Sequence, residues 1–120
     1  MRVIEIRSYR LRAGSRDRFH QLVEQHSLPL MQAWGIEVLN YGPSLQDETG
    51  YFLMRAFADP AELDAAQAAF YASPGWRQGP REAIIELIES DSNVVLALSE
   101  AAIEALRLSA TESSGPAAAD

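Results

Sequence analysis

The chain has 120 residues, no cysteine, a formal net charge of -7 and 48% hydrophobic residues. This length predicts one domain with one core, and so small a fold gains stability when association buries more surface. Without cysteine, disulfides, thiolate nucleophiles and sulfur-ligated zinc are excluded. The acidic balance argues against nucleic acids and anionic membranes as partners. With a charged first strand and no apolar run of membrane length, we expect a cytoplasmic protein.

The first strand and the first helix follow from the apolar spacing. Residues 3–12 alternate as a strand, and apolar side chains at spacings of three and four predict a helix from Ser15 to about Trp34. Pro29 lies inside this helix and cannot donate to the carbonyl of Gln25. We therefore expect a kink there, or a substitute donor.

Two further strands are predicted on either side of a hairpin loop. Residues 36–45 form the second strand, and Gly42-Pro43 within it places this strand at an edge of the sheet, because proline cannot donate to a ladder from the middle. Residues 46–50 form the loop. Residues 51–58 form the third strand, which carries apolar side chains on both faces.

The second half of the chain is predicted to contain helices followed by one strand. Asp59 caps a helix that Ser73 ends, and a second, short helix begins there. Residues 81–89 form a further helix and residues 93–98 the last strand. Ser99 then caps a C-terminal helix.

These elements predict one α+β domain over residues 1–98, a short C-terminal helix over residues 99–108 and a disordered tail over residues 109–120. The order β-α-β-β-α-β is that of a ferredoxin-like fold, whose helices cover one face of an antiparallel sheet. Strands one, three and four nevertheless carry apolar side chains on the other face as well, a patch that soluble monomers avoid. We therefore predict a homodimer in which two sheets pack face to face.

Several short sequences resemble the NIPSNAP family, a branch of the dimeric α/β-barrel superfamily. In chain order they are Glu5-Ile6-Arg7-Ser8-Tyr9-Arg10-Leu11 with Gly14, His26-Ser27-Leu28-Pro29-Leu30 with Trp34-Gly35-Ile36, Ala56-Phe57-Ala58-Asp59-Pro60, and Ser73-Pro74-Gly75-Trp76. The resemblance extends over residues 2–98. Arg55 and Gly79-Pro80 depart from the family pattern.

The resemblance implies a barrel of two face-packed sheets, with a small cavity between sheet and helices in each subunit. It implies no particular reaction, because this branch has no common established activity. Similar barrels include cofactor-free monooxygenases, polyketide cyclases, lyases and isomerases, and also haem-dependent enzymes. A likeness of fold alone does not determine which of these a chain is.

His26 is the first candidate for chemistry. It falls on the predicted apolar stripe of the first helix, where a buried imidazole needs a partner. It is interpreted as a core histidine bonded to a backbone carbonyl, as an acid or base facing the cavity, or as a haem ligand. His20 lies off the stripe and is expected in solvent. The two histidines share no helix face, so no metal site is predicted.

Charged and aromatic residues of the first strand are the second group of candidates. Glu5, Arg7 and Tyr9 lie on one face at period two. In the structural interpretation, Glu5 forms an ion pair with Arg55 across the sheet. In the functional one, Arg7 or Arg55 binds an anionic or enolate oxygen and Tyr9 donates a hydrogen bond. Trp76 is a core or lid aromatic, or stacks on a ligand.

The leading hypothesis is a cofactor-free enzyme of lyase, isomerase, cyclase or monooxygenase type. Its substrate is predicted to be a small, largely apolar molecule with a carbonyl or phenol group. The predicted catalytic residues are His26, Tyr9 and Arg7, and the predicted substrate-binding residues are Arg55, Trp76, Glu5 and Tyr41. The alternatives are a non-catalytic dimeric ligand-binding or scaffold protein and a haem-binding barrel.

Overall fold

A computed structural model describes residues 1–108 of the chain. In order, the elements are β1 (Arg2–Leu11), α1 (Arg16–Leu22), a π-helical segment (Val23–Ser27), α2 (Leu28–Ala33), β2 (Glu37–Pro43), β3 (Gly50–Phe57), α3 (Pro60–Ala72), α4 (Pro74–Arg77), α5 (Arg81–Ile85), β4 (Ile88–Leu98) and α6 (Glu100–Leu106). The tail predicted over residues 109–120 lies outside the described residues. No helix within residues 1–108 has both the length and the apolar character needed to cross a membrane.

The four strands form one antiparallel sheet in the order β2-β3-β1-β4. β2 and β3 are a hairpin, whereas β4 returns after the intervening helices to pair with β1. This is the predicted ferredoxin-like arrangement. β2 is an edge strand, as Gly42-Pro43 indicated, and its register with β3 shifts between Val38 and Asn40.

A π-helical turn divides the first helix of the chain. Within the segment Val23–Ser27 the turn widens, and the N–H of Leu28 donates to a carbonyl five residues back. Pro29 follows in the first turn of α2, where a missing backbone donor costs least. The wide turn adds one residue, so the buried side chain on this face is Ser27 and not His26.

Two boundaries in the second half differ from the prediction. α5 is shorter than predicted and ends at Ile85, and β4 begins at Ile88 instead of residue 93. The polar residues 90–92 pair with β1, Glu89 is skipped where the register shifts, and Asp91 lies opposite Tyr9. Because β4 is an exposed edge strand, polar side chains can occupy it without being buried.

The main core lies between the helices and one face of the sheet. The helices of the ferredoxin-like pattern cover this face as expected, and the additional C-terminal helix α6 lies on the second face. There Ile103, which is 1% exposed, packs against Ile4 and Leu39. α6 covers only part of the second face, and Val94 and Leu96 of β4 remain exposed on it.

Candidate functional site

A cavity of about 400 Å³, which we call the Trp76 cavity, opens between the sheet and the helices α3, α4 and α5. Its volume suits a small molecule, and its wall combines apolar surface with a few polar groups, as ligand sites do. The lining residues are Arg7 and Tyr9 of β1, Tyr71 of α3, Trp76 and Arg77 of α4, Arg81, Ile84 and Ile85 of α5, and Ile88 and Asp91 of β4.

The backbone around α4 fixes Trp76 at the wall of this cavity. The hydroxyl of Ser73 accepts from the Trp76 N–H at 3.3 Å and donates to the carbonyl of Phe70 at 2.7 Å. The chain then turns sharply into α5, and a Cβ at Gly79 would collide with the carbonyl oxygen of Gly75. Glycine therefore permits the close approach that arranges α4 and α5 around one cavity.

Trp76 is also packed among aromatic rings. Its ring centroid lies 5.4 Å from that of Phe70 and 5.4 Å from that of Tyr71. Aromatic pairs of this kind contribute about 0.5–1.5 kcal/mol beyond the area they bury. Trp76 is 7% exposed. It is therefore a fixed wall residue that presents one side to the cavity.

A buried ion pair stands behind the wall. The Nη2 and Nε atoms of Arg55 donate to Oε1 of Glu5 at 2.6 and 2.9 Å, and both side chains are fully buried. Burial alone would raise the pKa of Glu5, but the charge of Arg55 and the surrounding hydrogen bonds outweigh it and lower the pKa to about 2. Arg55 also donates to the hydroxyl of Tyr71 at 3.1 Å. The ion pair of the structural interpretation is thus present.

Arg7 connects this ion pair to the cavity. Its Nη2 donates to Oε2 of Glu5 at 3.0 Å, and its side chain, 20% exposed, lines the cavity. Its Nε is buried and has no hydrogen-bond partner within residues 1–108. An unsatisfied buried donor costs about 1–3 kcal/mol. The guanidinium is therefore held in place by Glu5 while part of its donor capacity is unused.

Tyr9 lies beside Arg7 on the same face of β1 and supplies a hydroxyl to the cavity. Burial raises the pKa of Tyr9 well above its ordinary value, so the hydroxyl stays protonated at neutral pH and can donate. Its ring centroid lies 5.3 Å from that of Phe19, which fixes the ring against α1. Arg7 and Tyr9 thus offer two neighbouring donors on one wall.

Three of the predicted site residues, Arg7, Tyr9 and Trp76, come together at this cavity. Glu5 and Arg55 do not line it. They are buried behind Arg7 and pair with each other. Because both side chains are buried, they do not contact a substrate in the Trp76 cavity. Their position lets them orient Arg7.

His26 is not part of this arrangement. It lies exposed on the outer side of the π-helical segment. The prediction that it occupies the buried stripe is wrong because the wide turn shifts the helix by one residue and places Ser27 there. The same placement removes His26 as an acid, a base or a haem ligand inside the Trp76 cavity.

His20 is the histidine with an inward partner. Its Nδ1 lies 2.6 Å from the hydroxyl oxygen of Tyr51, and its Nε2 lies 3.5 Å from Oε1 of Glu24. Tyr41 donates to Oε2 of the same Glu24 at 3.0 Å. The predicted solvation of His20 is only partly right, because its side chain is 36% exposed. Tyr41 belongs to this group and not to the Trp76 cavity.

Sequence reasoning missed four polar residues of the cavity, Tyr71, Arg77, Arg81 and Asp91. Arg77 and Arg81 gave a usable signal, since two cations close to Trp76 are conspicuous in a chain of net charge -7. Asp91 was not recognised, because the last strand was predicted to begin after it. Tyr71 has no distinguishing pattern.

The other features of the described residues point less clearly to a ligand. A cavity of about 280 Å³ near the β2–β3 loop is lined mainly by polar residues, but Oδ1 of its Asp47 already accepts from the N–H groups of Thr49 and Gly50. Within residues 1–108, no three histidine, aspartate or glutamate side chains are grouped as metal ligands.

The fold has close counterparts among solved structures. An uncharacterized NIPSNAP domain protein from Burkholderia xenovorans matches 82% of this chain and 95% of its own, at 18% identity and a TM-score of 0.73. A NIPSNAP family protein of unknown function from Agrobacterium tumefaciens matches 82% and 88%, at 23% identity and a TM-score of 0.74. A Nitrosomonas europaea protein named for antibiotic biosynthesis monooxygenases matches 82% and 91%, at 13% identity and a TM-score of 0.65.

At these identities the solved structures show the fold alone. No match to this chain was found among the curated proteins. The family model described as NIPSNAP matches residues 4–101, which includes all four strands apart from the first two residues of β1, and every lining residue of the Trp76 cavity. The chain therefore belongs to the NIPSNAP family, as its sequence motifs indicated.

Proposed function

We propose that the Trp76 cavity binds a small, largely apolar molecule through a carbonyl or phenol oxygen and transforms it without a cofactor. The observation that carries this proposal is Arg7, whose guanidinium is fixed by the buried Glu5 while its side chain, 20% exposed, lines the cavity. Tyr9 adds a second donor beside it. Two fixed donors facing a partly apolar cavity stabilise an oxyanion far better than water does.

For a phenol, the reaction we propose begins with transfer of the hydroxyl proton to a carboxylate, which leaves the electron pair on the oxygen. For a carbonyl compound, it begins with loss of a proton next to the carbonyl group. The C–H bond breaks, the proton moves to a carboxylate, and the electron pair moves onto the carbonyl oxygen, where Arg7 and Tyr9 hydrogen-bond the enolate. With His26 outside the cavity, Asp91 is the carboxylate among the lining residues. It lies opposite Tyr9 in the pairing of β1 and β4, so both side chains stand on the same face of the sheet.

The solved neighbours support an enzymatic reaction, but they do not determine its product. Two solved neighbours are named for antibiotic biosynthesis monooxygenases, and both resemble this chain only in fold. Lyase, isomerase and cyclase reactions can start from the same enolate, and a monooxygenase would add dioxygen to it. The proposed first step is therefore common to all four of the predicted reaction classes.

Exchange of protons in heavy water tests this step before the substrate is known. Enolisable ketones with an aromatic or branched aliphatic body are incubated with the protein in D2O, and deuterium uptake next to the carbonyl is followed by NMR. We expect uptake above the buffer rate for at least one ketone, reduced about 100-fold or more by Asp91→Asn or Arg7→Gln. Arg10→Gln, on the opposite face of β1, is the matched control and should retain the rate. Uptake at the buffer rate for every ketone contradicts the proposal.

We also propose that the protein acts as a homodimer. Val94 and Leu96 of β4 are 51% and 40% exposed on the second face of the sheet, beside the partly buried Ile6 and Met54. This apolar surface, only partly covered by α6, suits the same surface of a second copy. Sedimentation is expected to give twice the chain mass of 13.2 kDa for the native protein and a monomer for Leu96→Lys. The control Leu45→Lys, in an exposed loop, should remain dimeric, and a native monomer overturns this proposal.

A further inference from the structure

Two arginines stand at the entrance of the Trp76 cavity. Arg77 ends α4 and Arg81 begins α5, and both are exposed while they line the cavity. Neither forms an ion pair within residues 1–108, whereas Arg2, Arg7, Arg55 and Arg107 all do. The turn at Gly79 joins the two helices that carry these arginines. The exposed lining of the cavity therefore carries two arginines against one carboxylate, Asp91, and is cationic in a chain of net charge -7.

Both cations at the entrance are arginines, and this indicates which kind of anion they bind. The sequence contains ten basic residues, and all of them are arginine. The planar guanidinium presents paired donors that match a carboxylate, and it binds such anions with more geometric specificity than an ammonium does. Asp91 lines the same cavity, and its negative charge disfavours a dianion more than a monoanion. A single carboxylate is the anion that these charges fit best.

The polar lining of the cavity comes from two parts of the fold, the sheet and the helices α4 and α5. Arg7 and Tyr9 lie at the sheet, Arg77 and Arg81 lie at the entrance, and apolar side chains including Trp76 and Ile84 lie between α4, α5 and the sheet. A ligand that uses both regions must carry an oxygen at each end of an apolar body. This requirement narrows the class of molecule that the cavity accepts.

We infer that the substrate is a small oxo or hydroxy acid, whose carboxylate binds Arg77 and Arg81 while its apolar body lies against Trp76. Its carbonyl or phenol oxygen reaches Arg7 and Tyr9. This inference rests on the proposed function, because it assigns the reacting oxygen to the same two donors.

Binding of matched acids and amides tests the inference. The probes are para-hydroxybenzoate, para-hydroxyphenylacetate and para-hydroxyphenylpropionate, each compared with its neutral amide. The protein is the full chain carrying Trp34→Phe, which leaves Trp76 as its single tryptophan, so that its emission reports on the cavity. We expect the best acid to bind about tenfold more tightly than its amide, in line with one charge-assisted hydrogen-bonded contact.

Arginine variants test whether the preference for the acid over its amide comes from Arg77 and Arg81. In Arg77→Gln combined with Arg81→Gln, acid and amide are expected to bind equally. Arg10→Gln combined with Arg18→Gln removes the same two charges from exposed positions that do not line the cavity, and it should keep the preference. Circular dichroism of each variant checks that it is folded. Equal binding of acid and amide by the native cavity overturns the carboxylate inference and leaves the proposed function intact. If no acid and no amide binds, both are overturned.

Discussion

The two faces of the sheet differ in where their charged groups lie. The face under α1 to α5 buries a complete ion pair, Glu5 with Arg55, and orients Arg7 next to a cavity. The second face keeps its charges at the rim, where Arg2 and Arg107 hold the half-exposed Glu37, and its centre is apolar. Buried charge needs partners on every side, and the face under α1 to α5 supplies them.

This contrast assigns different tasks to the two faces. Charges that are costly to bury persist where they position a group for binding, and the ion pair behind Arg7 fits that description. The apolar centre of the second face has no such group. It suits contact with another protein surface, and we have proposed a second copy of the chain. Changes to each face should therefore have different consequences.

The largest effect is expected from breaking the buried ion pair. Glu5→Gln leaves Arg55 charged, buried and without its counter-ion, which should lower the free energy of unfolding by about 3–5 kcal/mol. Glu37→Gln, which removes a carboxylate from a half-exposed ion pair on the second face, should cost less than about 1 kcal/mol. Urea denaturation measures both variants. Equal losses would show that the two faces do not differ in this way.

A somewhat smaller effect is expected from acid. The pKa of Glu5 is lowered from 4.5 to about 2 in the folded protein, so its contribution is complete above pH 4.5 and is lost as the pH falls toward 2. A difference of this size corresponds to about 3 kcal/mol. Urea denaturation between pH 7 and pH 2 should show this loss in the native chain. In Glu5→Gln the same pH range should produce a much smaller change, and an identical pH profile would contradict the assignment.

The smallest effect is expected when each of the two histidines is replaced by alanine. His20→Ala removes the partner of the buried Tyr51 hydroxyl and should cost about 1–2 kcal/mol in unfolding free energy. His26→Ala changes an exposed side chain and should stay within about 0.5 kcal/mol. His26→Ala should also leave deuterium uptake by a bound ketone unchanged. A loss of deuterium uptake would show that His26 acts in the site, and it would contradict its exposed placement.

Much of the fold could be predicted from local signals. Alternation and helical spacing identified the strands and the order of the elements, and Gly42-Pro43 placed β2 at an edge of the sheet. The caps at Asp59, Ser73 and Ser99 are present, each with its side chain accepting a backbone N–H. These features depend on residues near one another in the chain, so the pattern contains the information.

The candidate site was only partly predictable, for physical reasons that differ between residues. The period of strand β1 placed Arg7 and Tyr9 on one face, and the structure keeps them there. His26 was misplaced because a π-helical turn has no distinct sequence period and shifts every residue after it. Arg77 and Asp91 meet only because α4 and β4 come together in space.

Chemical-shift mapping tests most directly whether the helix-covered face, and not the second face, is the ligand site. The uniformly ¹⁵N-labelled protein is titrated with the probe that binds best, and its amide and indole signals are followed. We predict saturable shifts of the Trp76 indole and the Arg7 and Tyr9 amides, while the indole of the exposed Trp34 and the Leu96 amide stay in place. Shifts confined to β4 residues of the second face, with the Trp76 indole unmoved, would contradict the account.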